Sequence, residues 1–413
     1  MNRQAMKPFS RAAGMSLVEL MVGMLIGLIG IVIITHLYVT NEQYKRRTVA
    51  QGSAQSNGAI ALYTLERELR MAAFGLNHSR AFDCQCDAIA NPGCSHIQYY
   101  YDGVYSFPPN PTATGARNSL ALYPVVITDN PPYGPDTLSI FYGSDNERVL
   151  GTMLQFAMSN AGSNIRIDGT IGFEARNTAT AEPGNLVVLQ KDNLCRLAHV
   201  TGLATDALVH DSSSRWNPPA GGTLPGAVFD TQTMVFNLGS RPNWRGYSVK
   251  LNPDGTSTGK LQFTDQFRVI TAGAVSEDIM DGIVDVQAQY GLDTSSPPDG
   301  IVDVWTKCLT HPACPPATPP IKDHCIRVIA VRLAVLARSD EWIKPVAPAT
   351  ACEATTLADQ PTWGGSHVLD QPPAGTGPQT FPVLQRPGVL PSCYRYRVFE
   401  TVVPLRNMLW RPA

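Results

Sequence analysis

The longest apolar pattern in the chain lies near its amino terminus, MSLVELMVGMLIGLIGIVIITHLYV, from Met15 to Val39. Wound as a helix at about 1.5 Å per residue it rises about 37 Å, enough to cross a hydrocarbon core about 30 Å thick with some tilt. A secretory signal has a shorter apolar stretch and then a small-residue cut site. This run is longer and leads into His36, Tyr38, Asn41 and Glu42.

From Val49 to Phe74 the pattern turns amphipathic. There is no proline, and Ile60, Leu62, Leu65, Leu69 and Ala72 follow a helical spacing. Glu66 and Arg70 form an i,i+4 pair on the polar face, and Gly75 is the expected stop. Sustained heptads are absent, which argues against a separate coiled coil.

Beyond Leu76 the apolar positions come in short runs between turns. Strands are predicted at Ile97–Tyr101, Ser119–Thr128, Thr137–Tyr142, Leu186–Gln190, Cys195–Val200, Met234–Leu238, Ile283–Leu292, Arg327–Arg338 and Arg395–Val403. In Ile283–Leu292 one face reads Val284, Val286, Ala288, Tyr290, Leu292 and the other Asp285, Gln287, Gln289, the pattern of a half-buried strand. The stretches Pro312 to Pro320 and Pro345 to Pro391 read as ordered surface loops or short linkers. The expected fold is α+β: a long N-terminal membrane-spanning helix packed on a mainly antiparallel, β-rich globular head. Residues 1–14 form a basic leader, 15–39 the spanning half of the helix, 40–75 its amphipathic continuation and 76–413 the head.

Composition supports this division. Of the 413 residues, 44% are hydrophobic and 16% charged, against about 25% charged in an average domain, which excludes global disorder. Gly (34) and Pro (33) favour turns and short strands over helical bundles. Lys plus Arg number 32 and Asp plus Glu 34, a net charge of −2, so no basic field exists to hold nucleic acid. All nine cysteines follow residue 80, which suggests an oxidising compartment. The odd count leaves at least one thiol unpaired or bonded to another chain, and spacing does not fix the connectivity. Cys84 and Cys86 are too close for an unstrained bridge.

Residues 1–14 carry Arg3, Lys7 and Arg11 and no acid, and the apolar run holds one charge, Glu19. At a helix centre that carboxylate would cost about 2.5–3.5 kcal/mol. Lying one turn from Met15, it can snorkel to the interface or pair with a cation at its own depth. A cut after Gly14 would create such a cation, the α-amine of Met15. Lys45, Arg46 and Arg47 beyond the span balance the leader's three cations, so the positive-inside rule does not orient the chain.

The combination of basic leader, Gly14, and Ser16-Leu17-Val18-Glu19-Leu20 resembles the class III signal of type IV prepilins and pseudopilins. The resemblance implies that a membrane prepilin peptidase cuts after Gly14 on the cytoplasmic side and methylates Met15. It also implies that Glu19 attracts the amino terminus of a neighbouring subunit during assembly, with the head outside the cytoplasm. Loss of the leader would take the formal charge from −2 to −5 by removing three cations. Met15 stands where the family usually has phenylalanine, and the helix-kinking proline of major pilins is absent, with His36 near its place. Both departures fit a minor pilin better than a major one.

The carboxyl half resembles the PilW family of minor pilins in Tyr290–Asp293, Asp299–Asp303, Arg327–Leu333, Arg397–Thr401 and Leu405–Asn407, together with Leu69–Gly75 near the start. Asn77 to Asn243 matches nothing recognisable. PilW-like proteins help initiate type IV pilus assembly with other minor pilins in a tip complex, which is scaffolding and not catalysis. The resemblance implies other minor pilins, the major pilin, the prepilin peptidase and the inner membrane as partners, and no cofactor. Two alternatives stay open: a type II secretion pseudopilin, and a membrane-anchored exported binding protein or enzyme.

The remaining motifs offer less. Asp-Gly-Ile-Val-Asp-Val occurs at 281–286 and again at 299–304. Around the second copy Asp293, Ser295, Asp299 and Asp303 could offer oxygen ligands to calcium. Pro297-Pro298 interrupts the EF-type spacing and the closing glutamate is missing, so a polar hairpin is the competing reading. Cys308, His311, Cys314, His324 and Cys325 match no zinc module, and disulfides are preferred. Gly255 to Lys260 is one residue short of a phosphate loop, and Ser257-x-x-Lys260 lacks its companion motifs and is expected in a turn. His78, His199, His210 and His367 suggest no triad and read as surface or structural residues.

Overall fold

The computed structural model describes residues 16–76, 100–101, 104–105, 124–128, 134–145, 147–160, 162–177, 183–192, 194–218, 229–253, 255, 257–268, 275–307, 327–342, 355, 361–364, 379–380 and 393–409. The chain divides into two compact units, 1–52 and 53–413. One helix, α1 (Leu17–Met71), runs through the boundary between them.

In the first unit the segment Leu17–Glu42 has a mean hydropathy of 2.7. Its leucines, isoleucines, valines and methionines are exposed on every side, as suits a helix surrounded by lipid. Thr35 and Thr40 turn their hydroxyls back onto the carbonyl oxygens of Ile31 and His36, at 2.7 and 2.9 Å. That hides two donors an apolar solvent could not satisfy.

In the second unit α1 buries Ala54, Gly58, Ala61, Leu65, Leu69 and, just past its end, Ala72. The stripe is mostly small, so the helix backbone sits close to the sheet beneath it. Ile60 lies on the opposite, exposed side and Leu62 is half-buried, which corrects the stripe expected from large apolar residues alone. The helix stops at Met71, four residues before the glycine expected to end it. The chain then turns with Ala73 at φ 65° and Gly75 at φ 80°, and Gly75 supplies a conformation that costs it little. The end is tied down by Ala73 N–H to Phe141 O (3.0 Å) and Gly143 N–H to Phe74 O (2.7 Å).

Beyond the helix, β1 (Tyr100–Tyr101) and β2 (Val104–Tyr105) pair, followed by β3 (Val125–Thr128) and β4 (Thr137–Tyr142). Next come β5 (Thr152–Met153), β6 (Ile165–Arg166), β7 (Leu186–Lys191), β8 (Leu194–His199), β9 (Gly202–Ala204) and β10 (Ala207–Val209). The longer strands follow as β11 (Met234–Gly239), β12 (Asn243–Leu251), β13 (Ser257–Asp265), β14 (Ser276–Asp281) and β15 (Ile283–Leu292). The last are β16 (Val304–Thr306), β17 (Val328–Arg338), β18 (Thr362–Trp363), β19 (Gln379–Thr380) and β20 (Tyr396–Pro404).

Three sheets dominate, in the orders β14-β13-β12-β4-β3, β16-β15-β17-β20 and β5-β11-β7-β8, with β6-β10-β9 beside them. The pairings among described residues are antiparallel, as expected for the head. The main core joins the buried face of α1 to Ile140 and Phe141 of β4, Val286 and Tyr290 of β15, Val331 and Val335 of β17 and Phe236 of β11. A second core lies behind β7, where Val187 and Leu189 meet Ile165, Ile167 and Leu208. Because both faces of β7 are covered, its sequence reads LVVL with no alternation.

Two expectations need correction. All ten residues of β15 are buried, so Asp285, Gln287 and Gln289 do not face water as a half-buried strand would require. The hairpin β12–β13 and the edge strand β14 were not anticipated, and Ser257 and Lys260 lie on β13, outside the turn. Lys260 pairs there with Asp278 at 3.0 Å. Cys195 and Cys393 are fully buried and disulfide-bonded. The other seven cysteines lie outside the described residues, as do His311, His324 and nearly all of the two Pro-rich stretches.

Candidate assembly site

Gly14 and Met15 lie outside the described residues; Ser16 and Glu19 do not. Ser16 N–H donates to Glu19 Oε2 at 3.2 Å and Glu19 N–H donates to Ser16 Oγ at 3.2 Å. This is a capping box, in which two otherwise orphaned donors of the first turn are satisfied reciprocally. The Ser-x-x-Glu spacing before an apolar run carries that signal in the sequence. Glu19 therefore stabilises its own helix start and also places a carboxylate at the edge of an apolar segment, where a cation is favoured.

The other end of α1 is fixed in the head by a cluster that spacing did not suggest. Glu68 is 3% exposed, yet its carboxylate accepts from Arg245 Nη1 on β12 at 2.7 Å and from the Tyr142 hydroxyl on β4 at 2.8 Å. Arg67, on the same helix, approaches the carboxylate at 3.3 Å. Burial and then the Glu68 carboxylate push the Tyr247 phenol up to about 12, and burial and Glu68 hold Tyr142 higher still. Asn407 Nδ2–H donates to Ala72 O at 3.0 Å, so the carboxyl-terminal segment closes the turn after α1. The two stretches singled out at Leu69–Gly75 and Leu405–Asn407 thus meet.

The acidic loop between β15 and β16 closes on itself. Asp293 Oδ1 accepts from the Ser295 hydroxyl (2.5 Å), and its Oδ2 from Gly300 N–H (2.7 Å). Asp303 Oδ2 takes the N–H groups of Thr294 and Ser295, at 2.7 and 3.1 Å, and Asp299 Oδ1 takes that of Ile301 at 2.9 Å. Burial, the largest single influence, acts to raise the Asp293 carboxyl, but the donors it accepts, the Ser295 hydroxyl foremost and then the Gly300 N–H, hold it below its ordinary range. No group of three or more His, Cys, Asp or Glu side chains that could hold a metal occurs among the described residues. Asp281-Gly282 and Asp299-Gly300, the matching starts of the repeated motif, both place glycine at φ 79° in turns.

His199 and His210 are buried structural residues. His199 Nδ1 lies 2.6 Å from Ser214 Oγ and its Nε2 lies 3.0 Å from Gly184 O, which suits a neutral ring accepting from the serine. Burial lowers the His199 pKa, with nearby Arg176 adding to the effect. A folded-state pKa below the unfolded value means that the stability is present above the unfolded pKa, about 6.5, and is lost as pH falls through the folded one. The unfolding midpoint of the intact chain should therefore fall from pH 7.5 to pH 5. His199→Gln should flatten that dependence, and an unchanged slope in this variant would remove His199 as its source.

The first unit holds a membrane-capable helical segment with an acid in its first turn, and the second an antiparallel head packed on the buried face of residues 53–71. Residues 247–407 match the family model of PilW, type IV pilus-assembly protein W. The matched segment holds β13 to β20 and Asn407, and the resemblance supports involvement in type IV pilus assembly. No curated protein and no solved structure matches the chain.

Proposed function

We propose that this protein is a minor pilin that primes type IV pilus assembly in a tip complex with other minor pilins. The observation that carries the reading is the PilW match at one end of a chain whose other end is an exposed apolar helix opening on Ser16 and Glu19. In this reading the prepilin peptidase cuts after Gly14, Met15 is methylated, and Glu19 draws the new amine of an adjoining subunit in a setting of low dielectric. The chain then passes once through the inner membrane with its head in the periplasm, where disulfides persist, and it contributes to pilus-driven motility. Assembly of this kind calls for no cofactor, and a calcium ion at residues 293–303 would have to displace the loop's own N–H donors.

The test is deletion of the gene with surface piliation and protein secretion scored in parallel, followed by complementation with Glu19→Ala. Deletion should abolish or sharply reduce piliation and leave secretion intact, and the Glu19→Ala chain should insert in the membrane yet fail to restore pili. Loss of secretion with normal pili would select the pseudopilin reading. Full function after exchange of residues 1–39 for an unrelated anchor would select the tethered binding protein or enzyme.

A further inference from the structure

A buried pair within the head has a chemistry that the assembly role does not use. Lys307 follows β16 and Asp136 precedes β4; their side chains are 1% and 0% exposed, and Lys307 Nζ lies 3.1 Å from Asp136 Oδ1. The neighbouring strand β15 positions both groups. Gln287 Oε1 accepts from Nζ at 2.6 Å, and Gln287 is itself steadied by Nε2–H bonds to Asp285 Oδ1 and Gly134 O, each 2.9 Å. Ala288 N–H donates to the second carboxyl oxygen, Asp136 Oδ2, at 2.8 Å, and Asp136 N–H donates to Val286 O at 2.8 Å.

We propose that Lys307 and Asp136 condense to an amide, an autocatalytic cross-link within the head. Two separated charges are costly in a dry interior, and transfer of one proton from the ammonium to Oδ1 converts them into a neutral amine and acid. The freed lone pair on Nζ attacks Cγ, forming the C–N bond and placing negative charge on Oδ2. The N–H of Ala288 already points at that oxygen, the arrangement that stabilises a tetrahedral intermediate. The C–Oδ1 bond then breaks and Oδ1 leaves as water, taking its second proton from the nitrogen. Nothing is oxidised or reduced, and no co-reactant is needed. Holding amine and carboxyl in contact supplies the proximity that makes amide formation between side chains feasible, and exclusion of bulk water disfavours the return reaction. The link joins residues 171 positions apart and ties the five-stranded sheet to the four-stranded one.

The experiment is mass spectrometry of the full chain purified in detergent and reduced, with a protease digest of the same sample. The wild-type chain should be lighter by one water than Lys307→Arg after correction for the substitution. The digest should contain a joined peptide holding both Asp136 and Lys307. Recovery of the two residues only in separate linear peptides, with no missing water, overturns the proposal, and the wild-type digest decides this even if the variant fails to fold.

Discussion

Gly58→Leu should destabilise the head by about 3 kcal/mol or more, the upper part of the range for overpacking a close contact. A Cβ built on Gly58 would lie 2.1 Å from Cε2 and 2.4 Å from Cδ2 of the Phe399 ring, and 2.9 Å from Cβ of Ala337. Both neighbours belong to strands paired with each other, β17 and β20, so relief requires the Phe399 ring to leave its rotamer and Ala337 to move with its sheet. Glycine in mid-helix normally costs about 1 kcal/mol relative to alanine, and the site keeps it because nothing larger fits. Gly58→Ala therefore sets two effects against each other: a gain in helix propensity and a clash with a ring. The clash should win by about 1 kcal/mol, and Phe399→Leu in the same chain should recover part of the loss. Chemical unfolding of the full chain in detergent, followed by near-ultraviolet circular dichroism, measures each difference. A Gly58→Leu midpoint equal to that of the wild type would mean that helix and sheet do not approach this closely.

Elements whose causes are local were legible in the sequence. The apolar run from Met15 needs only its own composition, and Thr137–Tyr142 and Ile283–Leu292 have the bounds that period-two patterning gives. What the pattern could not supply was the covering of a second face. Asp285 and Gln287 look like solvent positions until Lys307 and the backbone near Gly134 arrive from distant parts of the chain. Strands β12 to β14 were missed because Gly246, Lys250 and the acids of β14 dilute their alternation, and the burial pattern of β14 is almost wholly exposed. At the assembly site Glu19 stands out as the one charge in an apolar run, and the Ser-x-x-Glu spacing encodes its bonds to Ser16. Glu68 was not readable: one acid among Glu66, Arg67 and Arg70 carries no mark that it, and not its neighbours, turns inward.

Arg245→Leu should cost about 3 kcal/mol, the low end of the range for removing one partner of a buried ion pair. The carboxylate of Glu68 would stay in the interior with the Tyr142 hydroxyl and Arg67 as its remaining partners. Arg67 is 62% exposed and sits at 3.3 Å, so water screens much of what it could return. Removing both charges is a different operation, because the desolvation of the acid disappears along with the attraction. The double variant Glu68→Leu, Arg245→Leu should be more stable than Arg245→Leu alone, falling short of the wild type by about 1 kcal/mol for the hydrogen bond lost by Tyr142. That ordering separates an ion pair that docks α1 on β12 and β4 from one that merely decorates the contact. Unfolding midpoints for the wild type, both single variants and the double variant complete the cycle, and additive losses would mean that Glu68 and Arg245 act independently.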